Sequence, residues 1–429
     1  MKGSVAIATL GCKTNQFESA ALAEQLTTAG WRVIPFEAGA ELVVINTCTV
    51  TSATDSQSRN LIRRARRLHP ACRVVVTGCY AQIDPQTLAA IPGVSLVIGN
   101  EEKRDLLRLL DAGGAAVQVS DIRRSATAEV ATLGSFAERS RAFVQIQNGC
   151  DAFCAYCIIP YARGRSRSVP PSQVVTQVAE LAAAGFPELV LTGIHIGNYG
   201  TDLRPPATLL GLLQQLLATP GLPRLRLGSI EPTEIPDPLL NLIAHSPLIC
   251  HHLHIPLQAG SDSVLRRMNR HYDTALVRGL LNRVTGAMED VAIGLDVIAG
   301  FPGETDAEFE QTCTLLRDLP ISHLHVFPFS RRPGTPAATM SGQVPATVIK
   351  ERAALLRQIG AVKEGAFGAR FIGRVMTVVV EGGGEGEERR GLSGNYLNVR
   401  FCGPASLVGR MARVQVTAAA GGDLQGVLL

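Results

Sequence analysis

Short apolar runs alternate with amphipathic segments over the first part of the chain. The apolar runs occupy residues 5–10, 42–45, 73–76 and 94–99. Runs of this length, bounded by polar turns, are typical of central strands in a parallel sheet. Helical spacing between them is clearest at residues 18–29 and 57–68. The pattern therefore predicts an N-terminal α/β domain with a parallel sheet over residues 1–120.

A second strand–helix series follows a polar stretch at residues 121–140, which is predicted to be a linker. Its strands are expected at residues 142–146, 189–191, 224–228, 252–255, 291–298 and 323–327. The clearest helix is predicted at residues 172–184, with Ser172 as its N-cap and Gly185 after its last turn. Six such repeats over residues 141–368 predict a partial (β/α)6 barrel, with its chemistry at the carboxyl ends of the strands.

The periodicity changes again in the C-terminal part of the chain. Alternating strands are expected at residues 375–380, 396–401 and 411–416, joined by glycine-rich turns. This pattern predicts a small β-barrel over residues 369–429.

Composition and charge narrow the picture only slightly. The net charge of +4 over 429 residues is too small to predict a nucleic-acid partner by itself. Ten cysteines are too dilute for a disulfide scaffold, so we expect a reducing, cytoplasmic location. No apolar run reaches the eighteen or so residues of a membrane span, and we expect no membrane partner.

Three cysteines lie close together in one loop, at Cys150, Cys154 and Cys157. Three thiolates can hold three irons of a [4Fe–4S] cluster and leave the fourth iron open, which is the mark of a catalytic site. A zinc knuckle would usually add a second Cys-x-x-Cys pair, and none exists here. Structural cysteines would not need such tight spacing, so the cluster interpretation is favoured.

A second set of cysteines follows the first three predicted strands, one per strand: Cys12, Cys48 and Cys79. Ligands of open parallel sheets bind outside the carboxyl ends of the strands, where these three thiols should converge. Burial as ordinary core residues is the alternative. It explains one such placement easily and three repeated placements poorly, so we predict a second ligand site.

The loop pattern Cys-x-x-x-Cys-x-aromatic-Cys resembles that of radical S-adenosylmethionine (SAM) enzymes. Together with the N-terminal cysteines and a final barrel resembling a TRAM domain, the whole chain resembles the radical SAM methylthiotransferase family. The local sequence at residues 11–16, 46–51, 63–67 and 76–82 is similar to the tRNA branch that acts on N6-threonylcarbamoyladenosine.

This resemblance implies two [4Fe–4S] clusters and SAM as cofactors. Cys150, Cys154 and Cys157 would bind the radical-generating cluster, and the other three cysteines the auxiliary cluster. The reaction would replace the C2 hydrogen of the modified adenosine at tRNA position 37 with a methylthio group. Electrons would come from a flavodoxin- or ferredoxin-like donor. The residues expected to contact SAM are Tyr156, Gly193, Ser229, Glu231, Gln258, Ile298 and Phe327.

Two basic groups indicate where tRNA would bind. Arg59, Arg63 and Arg66 share one helix face, and Tyr161, Arg163 and Arg165 follow the cysteine loop. Charged helix faces are usually only solvated. Here the arginines lie beside predicted active-site loops, where they could hold phosphates while an aromatic ring stacks on a base.

Three other functions fit parts of the sequence. The substrate could be N6-isopentenyladenosine in tRNA or a ribosomal-protein aspartate, or the chain could be a non-catalytic iron–sulfur carrier. The last accounts for the cysteines but not for glycine motifs at the barrel's strand ends. A histidine metal site is not predicted, because His252 and His254 share a strand face but no further ligand is evident nearby.

Overall fold

The computed structural model describes residues 2–112, 116–125, 140–382, 386–420 and 422–429. Most of the predicted linker, residues 126–139, lies outside the described residues. The described residues form two compact units. Unit one comprises those within 1–137 together with 145–169 and 330–338, and unit two comprises those within 138–144, 170–329 and 339–429.

The elements are numbered along the described residues. The strands are β1 Gly3–Thr9, β2 Trp31–Val33, β3 Leu42–Thr47, β4 Arg73–Gly78, β5 Val94–Ile98, β6 Val117–Gln118, β7 Ala142–Gln145, β8 Gln147–Asn148, β9 Arg167–Ser168, β10 Glu188–Thr192, β11 Arg224–Leu227, β12 His252–Gln258, β13 Ala292–Ala299, β14 His323–Pro328, β15 Val375–Gly382, β16 Glu388–Ser393, β17 Asn398–Cys402, β18 Met411–Ala420 and β19 Asp423–Leu428. The α-helices are α1 Lys13–Thr28, α2 Ser52–Leu68, α3 Cys79–Ile83, α4 Pro85–Ala89, α5 Leu106–Asp111, α6 Ile159–Arg163, α7 Pro171–Ala183, α8 Leu209–Leu217, α9 Asp237–His245, α10 Asp262–Arg267, α11 Thr274–Ala287, α12 Asp306–Asp318 and α13 Ala346–Ala369.

Unit one is built on a parallel sheet with strand order β2-β1-β3-β4-β5-β6. Every residue of the central strand β3 is buried, as the apolar run over its first four residues predicts, and the burial extends to Asn46 and Thr47. Apolar side chains of the sheet enter two separate core clusters, one containing Val43 and Val74, the other Leu42 and Val75. The predicted N-terminal parallel α/β domain is confirmed.

Helix starts are where sequence and structure differ most in this part of the chain. Helix α2 begins five residues before the predicted start, because Thr51 and Thr54 form a reciprocal capping box that apolar spacing does not report. Helix α7 begins at Pro171, which suits the first helical position because proline has no backbone N–H to satisfy. The prediction of Ser172 as the N-cap was therefore wrong, and Pro170 occupies that position.

Unit two contains a partial barrel of six strands. Three form a sheet in the order β11-β10-β7 and three a sheet in the order β12-β13-β14. Parallel bridges at Leu225–Ile249 and Ser229–His254 connect the two sheets. The predicted (β/α)6 architecture is confirmed, and its strands direct their carboxyl ends to one rim, where barrel enzymes place their sites.

A small closed barrel, with strand order β15-β16-β17-β19-β18, ends unit two. Its core includes Val378, Val399, Phe401 and Val414. Strands β16 and β19 were not predicted, because their charged, glycine-containing sequences hide the apolar alternation. Closure pairs every strand on both sides and leaves no free edge. In the described ranges, no helix is both long and apolar enough to span a bilayer.

Candidate active site

The three cysteines at strand ends come together at one edge of the unit-one sheet. Cys12 is the N-cap of α1, Cys48 directly follows β3, and Cys79 opens α3 after β4. Burial, followed by smaller effects of the neighbouring thiols of Cys79 and Cys12, raises the pKa of the Cys48 thiol to about 12. The three thiols therefore lie near enough to influence one another's protonation, and binding to a metal would replace their protons.

Glycines before two of these cysteines allow the strand ends to approach. Gly11 has φ 94° and Gly78 has φ 98°, both in the region that favours glycine. A Cβ on Gly11 would lie 2.7 Å from the Cys48 sulfur, and one on Gly78 would lie 2.3 Å from the Thr47 carbonyl oxygen. A side chain at either position would displace the cysteine geometry.

Buried amides connect the strand ends beneath the cysteines. The Asn15 Nδ2 donates to the carbonyls of Leu10 at 2.7 Å and Thr47 at 3.0 Å. The Asn46 Nδ2 in turn donates to the Asn15 carbonyl at 3.0 Å. The Thr47 hydroxyl donates to the Thr77 carbonyl at 2.5 Å. These bonds fix the ends of β1, β3 and β4 relative to one another, which positions the residues that follow.

The cysteine loop also belongs to unit one, where short backbone bonds fold it. The Cys150 N–H donates to the Gly164 carbonyl at 3.1 Å, and the Cys157 N–H to the Cys154 carbonyl at 2.9 Å. Phe153 adopts a left-handed φ of 44°, uncommon for a residue with a bulky side chain. This strain is stored between the first two cysteines, where a ligand loop has to turn its sulfurs toward one point.

Arg163, the last residue of α6, connects the cysteine loop to the strand-end cysteines. It is 1% exposed, and its Nε donates to the Cys79 sulfur at 3.3 Å. Its other donors bind Glu18, Asn15 and Asn148. Because these donors are engaged and buried, we do not retain the phosphate-binding role that the sequence suggested for Arg163.

A segment that sequence reasoning missed supports both cysteine sites of unit one. Arg332 is 5% exposed and donates to the Thr49 hydroxyl at 2.6 Å and to Asp55 at 2.7 Å. The Ala337 N–H donates to the Ala155 carbonyl at 2.8 Å. Thr49 directly follows Cys48 and Ala155 directly follows Cys154. Residues 330–338 therefore support the backbone next to one cysteine of each set.

The remaining residues predicted to bind RNA differ in their availability. Arg63 and Arg165 are exposed. Arg59 donates to the Tyr80 hydroxyl at 2.9 Å, and Arg66 donates to the Cys72 carbonyl at 3.2 Å, so both are partly engaged. Tyr161 is 37% exposed.

An aromatic pair that the sequence did not single out lies on the cysteine loop. Phe153 is 47% exposed, and its ring lies 5.8 Å from that of Tyr161 in an edge-to-face arrangement. Two exposed rings beside a ligand loop form a surface on which bases could stack. The sequence feature that could have indicated this pair is Phe153, an aromatic residue between two cysteines of the loop.

In unit two, the residues predicted to contact SAM lie at or near the carboxyl ends of barrel strands. Gly193 directly follows β10, and Ser229 lies two residues after the end of β11. Ile298 and Phe327 are the last but one residues of β13 and β14, and Gln258 ends β12 with φ 69°. Glu231 accepts a bond from Arg270. Burial raises the pKa of Glu231, against the opposing effect of Arg270. Tyr156, the remaining residue predicted to contact SAM, lies in unit one.

Histidines on the inner strands of unit two have partners that sequence proximity did not reveal. The His254 Nε2 lies 2.7 Å from Asp296 Oδ1 on β13, and the His325 Nδ1 lies 3.4 Å from the same oxygen. His323 lies beside them, and burial, followed by its histidine neighbours, lowers its pKa to about 3. The pairing of His254 with Asp296 explains how an imidazole is accommodated inside the barrel.

The residues of unit one fit iron–sulfur clusters. Each set contributes three free thiols, which match a cluster that keeps one iron open. The buried surroundings of Cys48, Cys79 and Cys154 would shield such clusters from solvent.

Comparisons with known proteins agree with this geometry. Residues 4–99 match the model of the Uncharacterized protein family UPF0004, and residues 144–316 match that of the Radical SAM superfamily. A solved structure of the radical S-adenosylmethionine methyltransferase TsrM from Kitasatospora setae shares the fold. Its TM-score is 0.54 at 18% identity, covering 78% of this chain and 74% of that one. The fold and the cysteine loop define a radical SAM enzyme.

Relatives narrow this class. The chain is 39% identical to the threonylcarbamoyladenosine tRNA methylthiotransferase MtaB of Bacillus subtilis, covering 96% of this chain and 93% of the relative. The corresponding values for MtaB of Aquifex aeolicus are 38%, 96% and 100%. The tRNA-2-methylthio-N(6)-dimethylallyladenosine synthase of Maricaulis maris is 32% identical, with 98% and 96% covered. The chain belongs to the MtaB-type tRNA methylthiotransferase family.

Proposed function

We propose that this enzyme methylthiolates C2 of N6-threonylcarbamoyladenosine at position 37 of tRNA, using SAM and two [4Fe–4S] clusters. The observation that carries the proposal is that both sets of three free cysteines belong to one compact unit. The names of the relatives that match nearly the whole chain support the choice of substrate. The 2-methylthio product would lie next to the anticodon.

The chemistry explains why such cofactors are needed. The C2–H of adenine has no acidic proton and no leaving group, so a general base cannot open it. When bound, the clusters and SAM supply a carbon-centred radical and a methylthio group, which no side chain provides. The protein holds and orients them: Cys150, Cys154 and Cys157 for one cluster, and the strand-end cysteines for the other.

SAM binding would use Tyr156 of the cysteine loop together with residues at the barrel rim of unit two. Those residues are Gly193, Ser229, Glu231, Gln258, Ile298 and Phe327. Their common location at strand ends supports this proposal, because barrel enzymes bind their ligands there. Gln258 is only 8% exposed, so a bound ligand could meet its amide in a largely dry site.

For tRNA, we propose contacts from Arg59, Arg63 and Arg66 on α2, and from Arg165 and Tyr161 beside the cysteine loop. Arginines would bind phosphates without reading sequence, whereas the aromatic side chain would stack on a splayed base. The C-terminal barrel, which we propose to be TRAM-like, would add further RNA contact.

The remaining elements of the proposal follow from the resemblance to the methylthiotransferase family. They are a flavodoxin- or ferredoxin-like electron donor, a cytoplasmic location and domains with the predicted boundaries at residues 1–120, 141–368 and 369–429.

The substrate is tested with purified, anaerobically reconstituted enzyme. Two tRNA substrates, one carrying N6-threonylcarbamoyladenosine and one carrying N6-isopentenyladenosine, are incubated with SAM and a reductant, and nucleosides are analysed by mass spectrometry. We expect a methylthio product only from the first. Product only from the second would transfer the enzyme to the sister branch, and SAM cleavage with neither product would contradict a tRNA substrate.

The number of clusters is tested by iron analysis of three matched proteins. The wild-type chain should hold about eight irons, and alanine replacement of all three cysteines in either set should leave about four, on the stoichiometry of two cubane clusters. A wild-type value near four, abolished by replacing only the loop cysteines, would contradict the auxiliary cluster.

A further inference from the structure

Three charged side chains form a buried group behind the strand-end cysteines. The Arg163 guanidinium binds Glu18, and Glu18 also binds Lys103. The side chains are 0%, 13% and 9% exposed, in the order Arg163, Glu18 and Lys103. Burial alone would raise the pKa of Glu18, but the two cations outweigh it and hold that pKa near 2. Glu18 is therefore ionised. Burial lowers the pKa of Lys103 against the opposing effect of Glu18, and with Lys103 protonated the group carries one more positive than negative charge.

The excess positive charge faces the thiols. The Arg163 Nε–H donates to the Cys79 sulfur at 3.3 Å, and Cys12 also interacts electrostatically with the guanidinium. A [4Fe–4S] cluster in its oxidised resting state with three thiolates carries one net negative charge. The excess on the arginine–glutamate–lysine group is equal to that charge in size and opposite in sign, in surroundings where screening by water is weak.

Arg163 also has a mechanical connection to the other cysteine set. It ends α6, which begins two residues after Cys157, and α6 packs against α3, the helix that Cys79 opens. The Cys150 N–H bonds to the carbonyl of Gly164, the residue after Arg163. Arg163 thus ends the segment that follows the cysteine loop, and it also donates to the sulfur of Cys79 in the other cysteine set.

We propose that Arg163 is a positioning residue for the auxiliary cluster, which raises its reduction potential through the N–H···S bond to Cys79 and fixes Cys79 relative to the cysteine loop. The inference rests on the proposed auxiliary site and adds a role for a residue outside its ligand set. Hydrogen bonds to cluster sulfurs and nearby positive charge both stabilise the reduced, more negative state. Glu18 has the opposite effect, because its charge offsets one of the cations.

The test uses the full chain with Cys150, Cys154 and Cys157 replaced by alanine, so that only the strand-end site can hold a cluster. The midpoint potential is measured by redox titration followed by electron paramagnetic resonance, together with iron content. Arg163→Met should shift the potential to more negative values, and Arg163→Lys, which keeps the charge, should shift it less. Glu18→Gln should shift it in the positive direction. Arg64→Met serves as the control, because Arg64 is an exposed arginine bound to Glu37, and this variant should leave the midpoint potential unchanged.

Shifts of the midpoint potential in opposite directions for the Arg163 and Glu18 variants indicate electrostatic tuning. A merely structural role would not give shifts of opposite sign. Equal potentials in the parent, Arg163→Met and Glu18→Gln proteins at full iron content would overturn the proposal. If Arg163→Met lost its iron, the Lys and Gln variants would still decide the sign. If the parent itself bound no iron, the proposed auxiliary site would fail, and this result is separate from any shift in potential.

Discussion

Replacing Glu188 with glutamine should destabilise unit two more than the same replacement of an exposed glutamate. Glu188 is fully buried, and the guanidinium of Arg226 forms two hydrogen bonds with it, at 2.8 and 3.0 Å. Arg224 and Arg141 bind the same carboxylate at 2.6 and 3.3 Å. Arg226 also donates to the Ser393 carbonyl at 2.8 Å, which connects the six-stranded barrel to the closed C-terminal barrel.

The magnitude follows from the burial of this group. Glutamine keeps the shape of the side chain but removes the anion of Arg224 and Arg226, which are at most 10% exposed, whereas Arg141 keeps its ion pair with Glu381. Removing one partner of a buried ion pair typically costs about 3–5 kcal/mol. At about 1.4 kcal/mol for each factor of ten, the population of opened β10 and β11 should rise roughly 140- to 3,700-fold.

Hydrogen exchange read by mass spectrometry measures this opening strand by strand. The single tryptophan, Trp31, lies in unit one, so its fluorescence would not report the change. Glu180→Gln, an exposed carboxylate on α7, is the matched control and should change protection by less than about 0.5 kcal/mol. Equal protection of β10 and β11 in the two variants would refute the assignment of Glu188 as the charge that holds these arginines.

Three further predictions concern pH and RNA. Burial raises the pKa of Glu188 but its arginines lower it to about 2, from 4.5. Its contribution should be fully present above pH 4.5 and disappear toward pH 2, so the difference in amide protection between wild type and Glu188→Gln should narrow over that range. Arg63→Gln should weaken tRNA binding and reduce the slope of log affinity against log salt by about 1, measured by filter binding at several salt concentrations. An unchanged slope would place Arg63 outside the interface. Tyr161→Ala should weaken tRNA binding by about 1–3 kcal/mol in the same assay. Tyr161→Leu keeps apolar bulk without an aromatic face, so its affinity for tRNA should stay close to that of Tyr161→Ala. Full restoration by leucine would exclude stacking.

The sequence predicted the convergence of the strand-end cysteines for a simple physical reason. Parallel strands bring their carboxyl ends to one edge, so residues such as Cys48, directly after a strand, need only the strand pattern to be located. The same reasoning located Gly193 and Ser229 at the barrel rim. The apolar pattern of a sequence shows which residues of an element are buried. The position at which that pattern stops gives the end of the strand.

The support around the cysteines could not be predicted in this way. Arg163 meets Asn15 across 148 residues of sequence, and Arg332 meets Asp55 across 277. Which distant element covers a given polar group depends on packing of the complete fold, and local pattern contains no record of it. An arginine close to a cysteine loop is therefore interpreted from sequence as a phosphate ligand, although burial and saturated donors give Arg163 a different environment.

The central claim is the methylthiolation of threonylcarbamoyladenosine through a two-cluster site. It is tested most directly by the tRNA nucleoside profile of a deletion strain complemented with wild type or with Cys48→Ala. We predict that the deletion loses 2-methylthio-N6-threonylcarbamoyladenosine and accumulates its precursor, that wild type restores the product, and that Cys48→Ala does not. Restoration by Cys48→Ala, or loss only of the isopentenyl nucleoside's methylthio form, would contradict the account.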